Sequence, residues 1–206
     1  MGLEQSLYVM SFTDKKDFPA RFFAKDYMTE DKEWLFECFE LEYFIKNNIL
    51  QGYFEEKYNI DNCEFVRVSD EDVEYLINTC DRFLECFSKN FIQEVQDYYD
   101  LTLEKYAKKY KEDYSDVKID QSNAGKISTE FFNNLDQKFM EIIQDNEECF
   151  EIIKEELPIT EGFFYGEYNL NIHYLESIIE IKEAFENVKQ CVLGSDEEET
   201  YYYCWY

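Results

Sequence analysis

Residues 157–188 read LPITEGFFYGEYNLNIHYLESIIEIKEAFENV, and this stretch decides the fold class. Its first half leaves a proline turn for an aromatic run, Gly162 to Tyr165, closed by Gly166, which is the pattern of a short strand freed at each end by a glycine. A polar bridge follows from Glu167 to Asn171. Beyond it Tyr174, Leu175, Ile178, Ile179, Ile181 and Phe185 recur at helical spacing, and Gly194 and Ser195 stop the helix. Strand and helix side by side predict a mixed α and β fold. Glycine (6) and proline (2) are too scarce for an all-β chain full of tight turns.

Outward from this stretch, three further segments read as strands. Leu7 to Met10 lies in MGLEQSLYVMSF, and Phe65 and Val66 mark CEFVRV, residues 63–68. The closing TYYYCWY, residues 200–206, has high β propensity and is expected to pair with Gly162–Tyr165 or with the N-terminal strand. Helices account for most of the remainder. Asp31 to Ile49 places Trp34, Leu35, Cys38, Leu41 and Ile45 at helical spacing, with Glu33, Glu37 and Glu40 on another stripe, and Gln51 and Gly52 end it. Ser69 with Asp72 three residues on opens a helix whose apolar face is Val73, Leu76, Ile77, Cys80, Phe83, Leu84 and Phe87. Glu74, Asp81 and Glu85 lie opposite. Asn90 to Glu112 continues helical, and its basic cluster (Lys105, Lys108, Lys109, Lys111) reads as a solvated face with pairs such as Glu104 to Lys108. Ser128 caps another helix with Phe131, Leu135, Phe139, Ile142 and Ile143 inward, and a further segment from Asn146 carries Cys149, Phe150 and Ile153. Loops are expected over Asp14–Glu30 (or a short irregular helix), Tyr53–Asn62 and Asp113–Lys126. The fold class is therefore α+β, predominantly helical, with a small antiparallel sheet of the N-terminal, central aromatic and C-terminal strands in one domain, 1–206.

Charge is the outstanding global property: 47 acidic against 20 basic residues give a formal net charge of −27. Such a chain repels duplex DNA, RNA and anionic membranes, so direct binding to any of them is disfavoured and a basic protein surface is the natural partner. Acidity of this kind also keeps a protein soluble without further purpose. The aromatic content, 19%, is ample for a core and argues against disorder. Seven cysteines, none in a C-x-x-C pair, together with an N-terminus lacking a signal-peptide pattern predict a reducing cytoplasm, with Cys38, Cys80 and Cys86 as small core residues. With one histidine and unpaired cysteines, no metal or cofactor is expected. Met1, Gly2 and Ser6 fit a myristoylation start, but the polybasic second signal is missing.

Sites of chemistry are weakly marked, and no catalytic role is expected. His173 has no nucleophile in a known context and reads as a surface or helix-lining residue. Gly162-x-x-x-Gly166 lacks the lysine of a phosphate loop, and Glu167 would repel a phosphate. Tyr201 to Tyr203 could stack bases, yet beside Asp196 to Glu199 they read as filling a core edge.

At MGLEQSLY, ELPITEGFFYGEYNLNIHYLESI and YYYCWY the chain resembles a family of uncharacterised phage and prophage proteins. Gly162, Phe163, Phe164 and Gly166 match that family's Gly-Phe-Phe-Phe-Gly motif, and Trp205 matches its closing tryptophan. Tyr165 replaces the third phenylalanine, Glu4 and Gln5 break the opening motif, and Cys204 stands where serine is usual. Against this pattern residues 90–145 look like a helical insertion. The resemblance implies an α+β protein of phage or mobile-element origin, carries no reaction, and gives no residue a role.

Together these readings predict an acidic inhibitor in the cytoplasm of a bacterial host. It would occupy the nucleic-acid-binding surface of a host defence protein, such as a CRISPR effector nuclease, by mimicking nucleic-acid charge. The candidate contacts are Glu33, Glu37 and Glu40; Glu74, Asp81 and Glu85; Glu147, Glu148, Glu151 and Glu155; and Asp196, Glu197, Glu198 and Glu199. Two other readings stand beside it. One is a small-ligand protein or enzyme with a pocket near the aromatic strand and His173. The other is an accessory phage protein whose acidity serves solubility alone.

Overall fold

A computed structural model describes residues 3–12, 19–27, 36–112, 121–162, 169–191 and 198–206, with the backbone alone over 101–112 and 121–130. Five strands form one antiparallel sheet: β1 (Glu4–Phe12), β2 (Arg21–Phe23), β3 (Phe36–Ile45), β4 (Glu64–Arg67) and β5 (Glu199–Trp205), in the order β2-β4-β5-β1-β3. The helices are α1 (Asn48–Tyr58), α2 (Asp70–Glu85), α3 (Lys89–Glu112), α4 (Gln121–Asp145), α5 (Glu147–Glu151, continued by a π-helical turn, Ile152–Glu156) and α6 (Ile172–Cys191). The chain is thus α+β and mostly helical.

The N- and C-terminal strands meet, as the aromatic closing run requires. β5 lies between β1 and β4, with Leu7 opposite Tyr202 and Val66 opposite Tyr202 on its other side. Tyr202 and Cys204 face the main core with Leu3, Leu7, Phe44 and Val66, while Tyr201 joins Met10, Phe12, Phe22 and Phe65 in a second, aromatic cluster. The period of two along YYYCW therefore places alternate tyrosines on opposite faces, and Tyr201 and Tyr202 are both fully buried. Residues 163–168, the central aromatic segment expected as a third strand, lie outside the described residues, as do Trp34, Leu35, Gly194 and Ser195.

Helices cover one face of the sheet. α2 packs on α6 through Leu76, Cys80 and Phe83 on one side and Tyr174, Ile178, Ile181 and Phe185 on the other. The start of α2 is the capping box expected from Ser69 and Asp72, with Ser69 Oγ accepting from Asp72 N at 3.2 Å and Asp72 Oδ2 from Ser69 N at 2.7 Å. Asp72 also ties α2 to α1: it accepts from Tyr53 Oη (2.6 Å), Tyr58 Oη (2.5 Å) and Lys57 Nζ (2.5 Å). Burial pushes this carboxyl up, but the lysine and hydroxyl donors outweigh it and hold it below the usual carboxylate range.

Several expectations are corrected. Of the helix expected over Asp31–Ile49, residues 31–35 lie outside the described residues and the rest is strand β3 followed by the beginning of α1, and Cys38 is exposed rather than in the core. The cause is a bulge. Leu7 pairs with Glu42 but Tyr8 with Glu40, so Leu41 is an extra residue on β3. It shifts the alternation by one and leaves apolar residues spaced three and four apart. Tyr53–Asn62 is mostly helix, not loop: Asn47 caps α1 by accepting from Leu50 N at 3.1 Å, and Asn59, in the left-handed region, ends it. Gly52 does not stop a helix but sits inside α1, where a Cβ would meet Thr160 Oγ1 at 1.8 Å. The linker expected through Lys126 is already helix from Gln121, and Phe131, expected inside, is exposed beside buried Leu135, Phe139 and Ile143.

Candidate acidic surface and the pocket beside His173

The nominated carboxylates do not form one face. Glu37 and Glu40, expected on one helical stripe, sit on β3 opposite Ser11 and Tyr8, three residues apart in a strand, and therefore point to opposite sides of the sheet. On α2, Glu74 pairs with Lys189 (2.5 Å) and Asp81 with Lys182 (2.7 Å), both bridging to α6. Glu148 pairs with Arg82 at 3.1 Å, Glu155 with Lys154 at 3.0 Å and Glu199 with Arg67 at 3.6 Å. These contacts are solvent-exposed, so each adds little stability, but each cancels one negative charge of the surface locally. Glu85, Glu147 and Glu151 are exposed, and Glu198 is half-buried. Glu33, Asp196 and Glu197 lie outside the described residues.

Two neighbouring elements carry acids that no lysine or arginine pairs with among the described residues. On β3 these are Glu37, Glu40 and Glu42, with Glu40 accepting from Ser6 Oγ (2.6 Å) and Glu42 from Asn187 Nδ2 (2.6 Å). The other element is α6, where Glu176 and Glu180 stand one turn apart beside the end of β3. Sequence reading passed over this second pair because it followed the apolar face of the helix; the i, i+4 spacing of two glutamates after His173 was the available signal.

Glu176 and Glu180 help line a half-enclosed pocket of about 260 Å³ at the N-terminal end of α6. Its wall also holds Asn48, Asn171 and His173, with Ile45 and Ile49 as its apolar floor. Lys46, with φ of 58°, turns the chain from β3 into α1 at the rim. Asn171 Oδ1 accepts from His173 N at 2.9 Å, which fixes the first turn. Tyr99 Oη lies 2.7 Å from His173 Nδ1, and Glu176 Oε2 lies 3.5 Å from the same nitrogen. Burial, and then the charge of Glu176, push the Tyr99 hydroxyl well up, so it stays protonated. Glu180 keeps solvent access, but its carboxyl is crowded: burial, then the neighbouring Glu176, raise it to about 7. A larger depression of about 610 Å³ between α3 and α4 is lined by Glu94, Lys138, Glu141 and Asp145 among others, with Lys138 held by Glu94 at 2.9 Å. The smaller pocket carries the denser set of polar groups.

Among the described residues no group of three or more His, Cys, Asp or Glu side chains is placed to hold a metal ion. No helix among them is long and apolar enough to cross a membrane. Comparison with protein-family models, with curated proteins and with solved structures finds no match.

Proposed function

We propose that this protein is an acidic inhibitor, encoded by a phage or mobile element, that occupies a basic nucleic-acid-binding surface of a host defence protein such as a CRISPR effector nuclease. The observation that carries the reading is the disposition of charge. Arg21, Lys57, Arg82, Lys182 and Lys189 are each held in ion pairs with the chain's own carboxylates. The acids of β3 and α5 that these pairs leave out, Glu37, Glu40, Glu147 and Glu151, are exposed. Arginine and lysine of a nucleic-acid channel would grip such carboxylates by charge-assisted hydrogen bonds. The resemblance at Gly162–Gly166 and Trp205 supports the phage origin.

The test is displacement of labelled duplex DNA from a basic DNA-binding nuclease by the purified protein. Displacement is expected at ~0.05 M salt and a loss of at least about tenfold in apparent affinity by ~0.5 M, because exposed charge pairs are screened. Affinity unchanged over that range would overturn the charge mechanism.

One observation favours a second reading, a small-ligand protein. The pocket beside His173 gathers amides, an imidazole and two carboxylates over an apolar floor. Its carboxylates select a cationic ligand. Calorimetric titration with agmatine, whose guanidinium and ammonium suit Glu176 and Glu180, tests it: saturable binding lost in Glu176→Gln supports this reading, and heats of dilution alone remove it.

A further inference from the structure

We infer that the groove bounded by α2, α3 and α6 seats an amphipathic, basic helix of a protein partner, with its apolar side chains on the floor and lysine or arginine beside them; this rests on the reading above and names the place where the partner engages. The groove is a depression of about 510 Å³. Its floor is apolar and drawn from all three helices: Leu84 of α2, Phe87 in the turn that joins α2 to α3, Ile92 of α3 and Ile179 of α6. Phe87 and Ile179 are buried members of the main core, and Leu84 and Ile92, half-buried, pack against it. The floor is therefore the outer surface of the same cluster that holds the helix layer together. A hollow between packed helices is where a further helix fits, its ridge of side chains lying between theirs. An amphipathic helix fills such a hollow with anchors spaced three and four residues apart.

Charge selects the occupant. Asp81, Glu85, Glu183 and Glu186 line the groove against two lysines, Lys89 and Lys182. Lys182 is already held, by Asp81 at 2.7 Å and by Glu186 at 3.6 Å. Glu85 and Glu183 are exposed, and no lysine or arginine pairs with either among the described residues. A helix that carries cations beside its apolar anchors thus meets hydrophobic surface below and charge-assisted hydrogen bonds at the rim. An acidic helix is repelled. So is a second copy of this chain, which sets one net charge of −27 against another. Duplex DNA is refused on the same ground, so the groove takes the partner's polypeptide and not its nucleic acid. The floor then adds to the electrostatic grip an apolar contact that salt does not screen.

The experiment titrates the full chain with three labelled peptides of about 18 residues, or about five helical turns. One carries a leucine stripe at helical spacing and lysine on its polar face, one has the same composition with the stripe scrambled, and one keeps the stripe with glutamate in place of lysine. Binding is read by fluorescence anisotropy. The striped lysine peptide is expected to bind at least about tenfold more tightly than the scrambled one, since only the stripe brings its apolar side chains to the floor together. That advantage is expected to persist from ~0.05 M to ~0.5 M salt, because screening acts on the charges alone. The striped glutamate peptide is expected not to bind. Two variants place the site. Ile92→Trp fills the groove and leaves every charge; Glu85→Lys/Glu183→Lys reverses two exposed charges and leaves the floor. Each, checked for retained helicity, is expected to weaken the striped lysine peptide by at least about tenfold, and the exposed pair keeps the test if the tryptophan disturbs the fold. Equal affinity of the striped and scrambled lysine peptides overturns the groove yet leaves charge-driven binding intact. Full affinity in either folded variant puts the peptide elsewhere and overturns it too. No binding of either lysine peptide, beside continued DNA displacement from the nuclease, overturns the groove and spares the inhibitor reading; striped-peptide binding without DNA displacement spares the groove and overturns the inhibitor reading. A dimer in sedimentation that Ile92→Trp dissociates makes a second copy the occupant and also overturns the proposal.

Discussion

Asp72 ties the helix layer together, because one fully buried carboxylate closes a capping box and gathers two tyrosines and a lysine from α1. Asp72→Asn keeps the shape but removes the charge, and is expected to lower stability by about 3 kcal/mol in urea unfolding. The pH sign follows from its depressed folded-state pKa. Its contribution is present above the unfolded-state value, near 4, and is lost as pH falls through the lower folded value. Glu180 works in the opposite sense. Its pKa is raised from 4.5 to about 7, so the native state holds the proton more tightly than the unfolded chain, and stability falls as pH rises between those values. Glu180→Gln is expected to leave stability at pH 4.5 unchanged and to raise it at pH 8 by no more than about 1 kcal/mol, since the group is still screened by solvent. Thermal unfolding of both proteins at the two pH values checks this. Gly52 gives a third case. Helix propensity alone predicts that Gly52→Ala stabilises α1, but the added methyl would lie 2.9 Å from Thr160 Cβ and closer still to its hydroxyl. The expected result is a loss of roughly 1–3 kcal/mol in urea unfolding.

At the scale of elements, what could be read from the sequence depended on whether a local signal was also the tertiary one. The capping box at Ser69 and the apolar face of α2 were legible because cap and periodicity agree. The aromatic run of β5 was legible because Thr200, Tyr201, Tyr202, Tyr203 and Trp205 are all β-favouring and admit few other conformations. β3 was not, because the bulge at Leu41 breaks the period of two and mimics that of a helix. α1 was not, because Gly52 and a polar surface conceal a helix held by Asn47, Asp72 and the close approach of Thr160. For the site, glutamates could be counted but not paired: that Glu74 and Asp81 meet lysines of α6 depends on a helix contact separated by about a hundred residues. Lys182→Gln and Lys189→Gln together are expected to cost about 1 kcal/mol or less in urea unfolding, and to tighten binding to a basic partner at low salt by freeing these two acids.

For the whole molecule, a formal charge of −27 acts against compactness. Ion pairs such as Arg21 to buried Glu64 at 2.5 Å offset it locally, and the exposed acids of β3 and α5 do not. Added sodium chloride, to ~0.3 M, is therefore expected to raise Tm by roughly 2–4 °C in calorimetry, the scale set by about 1 kcal/mol in a chain of this size. A Tm that falls with salt would mean that the internal pairs outweigh the repulsion. The same salt weakens the proposed partner contact, so conditions that favour the fold oppose the binding.

β5 is inserted between β4 and β1, and vectorial synthesis gives that position a consequence. The ribosome releases residues 4–12 and 36–45 well before 199–205, so β1 can find β3 early while the seam to β4 has nothing to fill it. Until the final strand emerges, Leu7, Met10, Phe65 and Val66 lack their neighbour, and the nascent chain carries an open hydrophobic slot of the kind chaperones recognise. Completion of the sheet thus waits on the synthesis of residues 199–205, long after β1 and β3 have been made.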